Sequence, residues 1–323
     1  MPLIMRSIHD MIGHFSTGLA NIMVNPVTCS GEANAGLSKA FFEKWPAMYD
    51  DYLKVCQDGS LEIGRLYIYK DRESKTTIIN LPTKKNWMDV VDPSDIEISC
   101  ARLAEYLKTR PFDTVAMPLL GVGYSRQWPL SVDPALTRHL DPLPNIIHLS
   151  IRPDRFEKPP LYLAVVGSRA YTNYDKICLG IGEGLIMFEK KFTDFEAIVS
   201  GGAKGVDSIA CGVGPGDSNP NIATRNGLRP IVCRANWDDY GNSAGFIRNR
   251  TVADIGTHFI AVIGSKSVGT RGLTDLVNRH NAYVDRLEAA NILPTGGDVF
   301  NKPAVPIPAR KHLYVCDVSS ETI

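Results

Sequence analysis

Short apolar runs alternate along this chain with longer stretches of helical period, and turn-forming residues separate them. That alternation is the pattern of an α/β protein. In the first half, residues 20–27 and Thr114–Pro118 read as strands, and residues 65–69 with 76–81 read as a hairpin pair. Residues 35–45 read as a helix, with Leu37, Ala40, Phe41 and Lys44 at helical spacing and Pro46 as its stop. Ser94 is placed to N-cap a helix running to about Lys108, with Glu97 completing a capping box. Ile146–Ile151 reads as the last strand of this half. The stretch 141–160 holds five prolines, so a stiff linker follows that strand. The second half restarts the pattern. Strands are expected over 161–166, 197–199, 228–234 and His258–Ile263, and helices over 174–189, from 206 to 212, and over 243–255 and 272–281. Residues 214–226 read as an exposed loop, and the tail from Pro294 holds one strand, 312–318.

A length of 323 residues sets an expectation of two domains. The chain is 44% hydrophobic and 22% charged, an ordinary balance for a soluble globular protein. Its 35 basic and 35 acidic residues cancel, which argues against a large basic footprint for nucleic acid and leaves a local patch open. The seven cysteines are odd in number and widely spaced, without C-x-x-C. That pattern speaks against a disulfide framework or zinc site and for a reducing cytosol. The histidines show no ligand spacing, so no metal and no cofactor is expected. No apolar run approaches the roughly 20 residues of a membrane helix, and no signal peptide is read, so a cytoplasmic location without membrane contact is expected.

Candidate chemistry lies in two places. In each half an apolar run ends in a glycine-bearing turn, where backbone N–H groups can face an anion. The first pairs Val24-Asn25-Pro26-Val27 and Asn34-Ala35-Gly36 with Pro118-Leu119-Leu120-Gly121-Val122-Gly123-Tyr124. The second pairs Val165-Val166-Gly167-Ser168-Arg169 with Ser200-Gly201-Gly202-Ala203-Lys204-Gly205-Val206-Asp207. In the second, Lys204 adds a point charge and Arg248-Asn249 offers a fork for another phosphate or a ribose.

The first half, through Val24–Val27, Gly31 to Gly36, Asn80-Leu81-Pro82-Thr83-Lys84-Lys85-Asn86-Trp87, Met117 to Gly123 and Trp128, resembles the macro domain, in particular its DarG-like branch. The resemblance implies an ADP-ribose cleft between two loops. Gly31–Gly36, with Asn34 and Gly36, would lie along the distal ribose, and Gly121, Val122, Gly123 and Tyr124 would cradle the diphosphate. Asn25 would contact a sugar hydroxyl. It also implies a lysine just before Gly36 in hydrolase members, where this chain has Ala35, and an acidic partner in the second loop, where none stands. Glu32 is the nearby carboxylate that could substitute. Asn21 occupies the place where the resemblance implies an adenine-binding aspartate; an amide there both donates and accepts.

The second half, through Val166-Gly167-Ser168-Arg169, Ser200 to Asp207, Ala210, Trp237 to Tyr240, Ala244 to Asn249 and Gly269-Thr270, resembles the SLOG superfamily of Rossmann-like nucleotide binders, nearest its YspA-like group. The glutamate of base-cleaving relatives falls at Leu273, and Asp207 is the best-placed carboxylate for catalysis, sugar binding or capping. Expected, then, are two three-layer α/β/α domains: a macro domain over 1–152, a linker over 153–160, a SLOG domain over 161–293 and a tail over 294–323.

Both clefts keep phosphate-binding turns and lack the reactive side chains those families imply. The leading expectation is binding of ADP-ribose or a related NAD-derived nucleotide, as sensor or sponge, in the setting of conflict between bacteria and their viruses. One alternative is a hydrolase of ADP-ribosyl or N-glycosidic bonds acting on modified nucleic acid or protein. Another is an interaction protein with vestigial clefts. A homodimer is expected, by analogy with SLOG relatives.

Overall fold

The longest uninterrupted apolar runs become the central strands of two separate sheets. A computed structural model describes residues 3–8, 10–120, 133–151, 158–213, 220–265, 267–292 and 309–319. The chain divides into two units, Met1–Pro159 and Pro160–Ile323.

The first unit is built on the strands β1 (Leu3–Ser7), β2 (Ile22–Thr28), β3 (Tyr67–Lys70), β4 (Thr77–Lys84), β5 (Thr114–Pro118) and β6 (Ile146–Ile151). They lie in the order β1-β6-β5-β2-β4-β3. Only β3 runs antiparallel to its neighbour, β4; the other pairings are parallel. The helices are α1 (Met11–Phe15), α2 (Gly36–Lys44), α3 (Pro46–Gln57), α4 (Pro93–Lys108) and α5 (Asp133–His139). Alternation along β2 and β4 feeds two cores. Ile22, Val24, Ile79 and Leu81 join the cluster under α4 and α5, whereas Met23, Val27 and Ile78 join the one under α1, α2 and α3.

Several expectations change here. β1 and α1 were not read from the sequence. Pro46 ends α2 but also opens α3 as its first residue, where its missing N–H is no loss. The cap of α4 is Asp92, whose side chain accepts from the Ser94 N–H; Ser94 already lies inside the helix. Glu97 does not close a capping box. Its carboxylate accepts from Arg138 at 2.7 Å and meets His139 at 2.5 Å, joining α4 to α5.

The second unit has an all-parallel sheet of β7 (Tyr162–Gly167), β8 (Ala197–Ser200), β9 (Arg229–Val232), β10 (His258–Ile263) and β11 (His312–Asp317). Their order is β11-β10-β7-β8-β9. The helices are α6 (Tyr174–Met187), α7 (Val206–Cys211), α8 (Ile222–Arg225), α9 (Trp237–Tyr240), α10 (Ala244–Ile255) and α11 (Val268–Ile292). The chain steps from β7 to β9 in one direction, then crosses back to β10 on the other side of β7. The ends of β7 and β10 therefore form the switch point where open α/β sheets hold ligands. Two expected boundaries move. Part of the exposed loop is α8, with Ile222 and Ala223 buried, and the strand expected in the tail is the sheet's edge, paired along its length with β10. No helix among the described residues is long and apolar enough to cross a membrane.

Candidate functional site

In the first unit, parallel pairing brings the C-terminal ends of β1, β6, β5, β2 and β4 to one edge. Asn25 lies within β2, fully buried. Its Nδ2 donates to Asn80 Oδ1 at 2.8 Å, and Asn80 Nδ2 donates to the Tyr67 carbonyl at 3.3 Å. Asn25 Oδ1 has no hydrogen-bond partner among the described residues. A buried acceptor left open is costly unless something donates to it, so Asn25 remains a candidate ligand contact. Beyond β2 the loop turns on Thr28. The Tyr52 hydroxyl, buried beneath, donates to the Thr28 carbonyl at 2.7 Å. Glu32 is half-buried and tied into its own loop: its carboxylate accepts from the Ser30 hydroxyl, and its carbonyl from Thr28 Oγ1 at 3.5 Å. Asn34 is exposed. Gly36 opens α2 at φ +71°, a conformation that favours glycine, and Ala35 before it supplies no side-chain cap. Gly121, Val122, Gly123 and Tyr124 lie outside the described residues.

Asn21 does not reach this edge. It precedes β2 and so stands at the opposite end of the strand. Its Oδ1 accepts from the Thr114 N–H at 3.0 Å, and its carbonyl from the Thr77 N–H at 2.9 Å. The residue clamps β2 between β4 and β5 rather than meeting a base.

Two groups that the sequence reading passed over do reach the edge. Lys84 ends β4, directly across from Thr28, and the Cys29 N–H donates to its carbonyl at 3.2 Å. Its Nζ donates to the Trp87 carbonyl. A lysine therefore ends the neighbouring strand, whereas Ala35 offers no amine. The signal was available: a lysine closing a strand that runs to the ligand edge of a parallel sheet. Asp10 follows β1 and caps α1, accepting from the Gly13 N–H at 2.9 Å, and its carboxylate is exposed. It was missed because neither β1 nor α1 was read. Burial, with Cys56 close by, pushes the Cys29 thiol up to about 11, and burial also raises Cys56. Neither is a thiolate nucleophile at neutral pH.

The second unit answers the phosphate question differently. Asp207 is buried, and its carboxylate accepts from Gly167 N at 3.0 Å, Gly201 N at 3.1 Å and Ala203 N at 3.4 Å. Arg248 Nη1 lies 3.9 Å from the same carboxylate and donates to the Gly201 carbonyl at 2.5 Å. Arg248 Nε donates to Asn249 Oδ1 at 3.0 Å, and Asn249 Nδ2 donates to the Gly269 carbonyl at 2.8 Å. Burial raises the Asp207 pKa, while Arg248 and the backbone donors oppose that shift. Burial lowers that of Arg248.

These contacts correct three expectations. The N–H groups of Gly167, Gly201 and Ala203 hold the chain's own carboxylate, not a free cradle. Arg248-Asn249 is no outward fork; it ties the glycine turn to α11. Asp207 is an internal anchor, poorly placed for catalysis. Gly205 is required for packing: at φ +79°, a Cβ there would stand 2.4 Å from the Ser168 carbonyl. Gly202 completes the turn, and Lys204 is exposed on it. Ser168 is buried, its Oγ accepting from Ala170 N at 3.3 Å, and Arg169 is exposed beside it. Gly269 and Thr270 sit in the first turn of α11, across the switch point, and Leu273 is a core residue there. Ser168 and Arg169 follow β7, Lys204 follows β8, and Gly269 and Thr270 follow β10, so all five come after the C-terminal ends of their strands. Among the described residues no cluster of His, Cys, Asp and Glu could hold a metal.

Residues 24–131 match the family model of the Macro domain. A DNA ADP-ribosyl glycohydrolase of Thermus aquaticus is 34% identical over 109 residues, 31% of this chain and 29% of that protein. One of Mycobacterium tuberculosis is 31% identical over 103 residues, again 31% of this chain and 29% of that protein. The chain thus spans less than a third of the length of these relatives. Among solved structures, the macrodomain of Thermus aquaticus DarG aligns with a TM-score of 0.41 at 24% identity, over 46% of this chain and 99% of that one. The match over 24–131 falls within the six-stranded unit, which therefore contains a Macro domain.

Proposed function

We propose that the first unit binds ADP-ribose and detaches it from a modified macromolecule. The observation that carries this reading is Lys84, which ends β4 across from Thr28 at the ligand edge, while Asn25 within β2 keeps an acceptor open among the described residues. An unprotonated amine there can attack the anomeric carbon as its bond to the modified group breaks, the amine's proton passing to the leaving group, or it can take a proton from the water that makes the same displacement. The relatives named as DNA ADP-ribosyl glycohydrolases make ADP-ribosylated DNA the first substrate to test. The test begins with calorimetric titration of the full chain with ADP-ribose. An oligonucleotide bearing one ADP-ribosyl group is then incubated with wild type and with Lys84→Ala. Wild type is expected to release ADP-ribose, and Lys84→Ala to bind it but release it roughly a hundredfold or more slowly. If wild type binds ADP-ribose and returns the oligonucleotide intact, the chain is a sensor or sponge. Ala35 and the hold of the Trp87 carbonyl on Lys84 favour that second reading.

For the second unit we infer a Rossmann-like nucleotide-binding domain of the SLOG type. Its all-parallel sheet and switch point support this. Its ligand phosphate would meet Ser168, Arg169 and the first turn of α11, with Lys204 alongside, because Asp207 already fills the inner turn.

A further inference from the structure

Among the described residues of the second unit, one sheet edge and one helix face stand uncovered, and they lie side by side. β11 ends the strand order, and no described strand pairs with its far edge. The His312 N–H donates to the Thr257 carbonyl at 3.0 Å and the Val318 N–H to the Ile263 carbonyl at 2.8 Å. Even-numbered residues therefore face β10, and the period of two turns the N–H and C=O groups of Leu313, Val315 and Asp317 outward. Such a row is a template for another strand. α6 is pressed onto the same edge at two glycines. A Cβ on Gly184 would stand 2.8 Å from Ile260 and 3.0 Å from Tyr314, and one on Gly180 would stand 2.9 Å from Cys316. The outer side of α6 carries Leu179, Ile186 and Met187, exposed by 55%, 79% and 65%, at helical spacing around Gly182, which has open space above it. Glu183, the charge in that stripe, is tied to its own sheet and accepts from the Tyr314 hydroxyl at 2.7 Å.

We propose that a second copy of this chain covers both features, by antiparallel pairing of β11 with β11 about a two-fold axis at Val315. The outward groups set the register: Val315 exchanges N–H···O bonds with its own copy, and Leu313 does so with Asp317 of the partner subunit. Antiparallel pairing also sets the strand's acidic end, at Asp317, against its basic start, at Lys311. The spacing then brings the helices together. Ile260 and Tyr314 are paired across β10 and β11, so Gly184 above them sets the α6 axis between those strands. Strands lie about 4.8 Å apart, which places the two α6 axes about 10 Å apart, within reach of the roughly 8–10 Å at which helices pack. Gly180 lies over Cys316 and Gly184 over Tyr314, so Gly182 is level with Val315 and the axis, where the helices come closest. Leu179 then meets Ile186 of the partner subunit. A second copy is the occupant that fits, because one axis satisfies the open strand and the apolar stripe together.

The test uses the full chain. Sedimentation equilibrium over a concentration series gives the mass, and residue-resolved hydrogen exchange reports the edge. Wild type is expected at twice the chain mass, with the amides of Leu313, Val315 and Asp317 gaining protection as concentration rises. Ile186→Glu, at an exposed position, should raise the dimer dissociation constant about a hundredfold or more, since apolar burial is lost on both sides of the axis. Val315→Pro removes an outward N–H and leaves the β10 ladder whole, so it should raise that constant about tenfold through two lost hydrogen bonds. Glu183→Gln, which removes a like charge from each stripe, should lower it. A wild type that stays monomeric throughout the series would overturn the proposal. So would a dimer that either variant leaves as tight as wild type, because it would use another face or only one of the two features.

Discussion

Replacing Asp207 with alanine separates an internal anchor from a ligand site. The carboxylate accepts three backbone N–H groups, from Gly167, Gly201 and Ala203, and faces Arg248 at 3.9 Å. Each hydrogen bond to a charged group is worth about 1.5–3 kcal/mol at best, with the 3.4 Å bond to Ala203 the weakest. Arg248 would keep its bonds to the Gly201 carbonyl and to Asn249 but lose its counter-charge in a buried setting. Leaving one partner of a buried pair alone costs about 3–5 kcal/mol. These two routes overlap, so about 3–5 kcal/mol is the expected loss, a large share of a domain's stability of about 5–15 kcal/mol.

Native-state hydrogen exchange read by mass spectrometry reports each unit through its own peptides. Peptides spanning β7 to β10 should exchange about a hundredfold to several thousandfold faster in Asp207→Ala, while those of the first unit stay unchanged. Added formate, small enough to fill the vacated anion position, should restore part of the protection. Two results would refute the reasoning. One is a loss below about 1 kcal/mol, against the ~3–5 kcal/mol that a broken buried pair should cost. The other is a wild type whose Gly201 and Ala203 amides gain protection from inorganic phosphate.

Gly205→Ala should destabilise the second unit by more than about 2 kcal/mol, since the disfavoured φ and the clash with the Ser168 carbonyl add. Gly36→Ala, with open space around its Cβ, should cost the first unit only about 1–2 kcal/mol; equal effects in denaturant unfolding would contradict this. Buried His258 stacks on His312 at 4.3 Å, and burial, with the charges of His312 and Lys190, lowers its pKa to about 4. Between pH 6.5 and 4 the unfolded chain therefore binds a proton that the folded chain refuses. The second unit's stability should fall as pH drops through that window, by up to about 3 kcal/mol, and His258→Gln should flatten the profile. Asn21→Ala should cost about 1 kcal/mol through its lost bond to Thr114, with ADP-ribose affinity kept within twofold; a larger change in affinity would return Asn21 to the site.

The parts of the fold legible in the sequence were those decided locally. Thr114–Pro118, Ile146–Ile151 and His258–Ile263 are mostly apolar because both faces of a central parallel strand are covered, and their limits coincide with the strands observed. β1 was missed because Arg6 and Ser7 break its run of apolar residues and its partner, β6, lies 144 residues away. Ser94 and Asp92 are both good caps two residues apart, and only the backbone geometry at Asp92 decides between them. Lys84 was legible as a residue but not as a site, because its place opposite Thr28 depends on the β2–β4 register, which the sequence does not print.

The same limit explains the second unit, and there it bears on function. A turn of the form Gly-Gly-x-x-Gly presents N–H groups that will take any well-placed anion. In this chain a carboxylate follows two residues after the last glycine, at Asp207, and the first turn of α7 carries it back over the turn. It is held at effectively fixed high concentration and has no entropy of association to overcome, whereas a phosphate must bring its own affinity. With Arg248 packed beside it, the internal anion holds the inner donors. Motif and side chain therefore compete for the same hydrogen bonds. When a glycine turn is followed closely by an aspartate, the spacing alone cannot say which of the two it was built to hold, and the distances to Gly167 and Gly201 do.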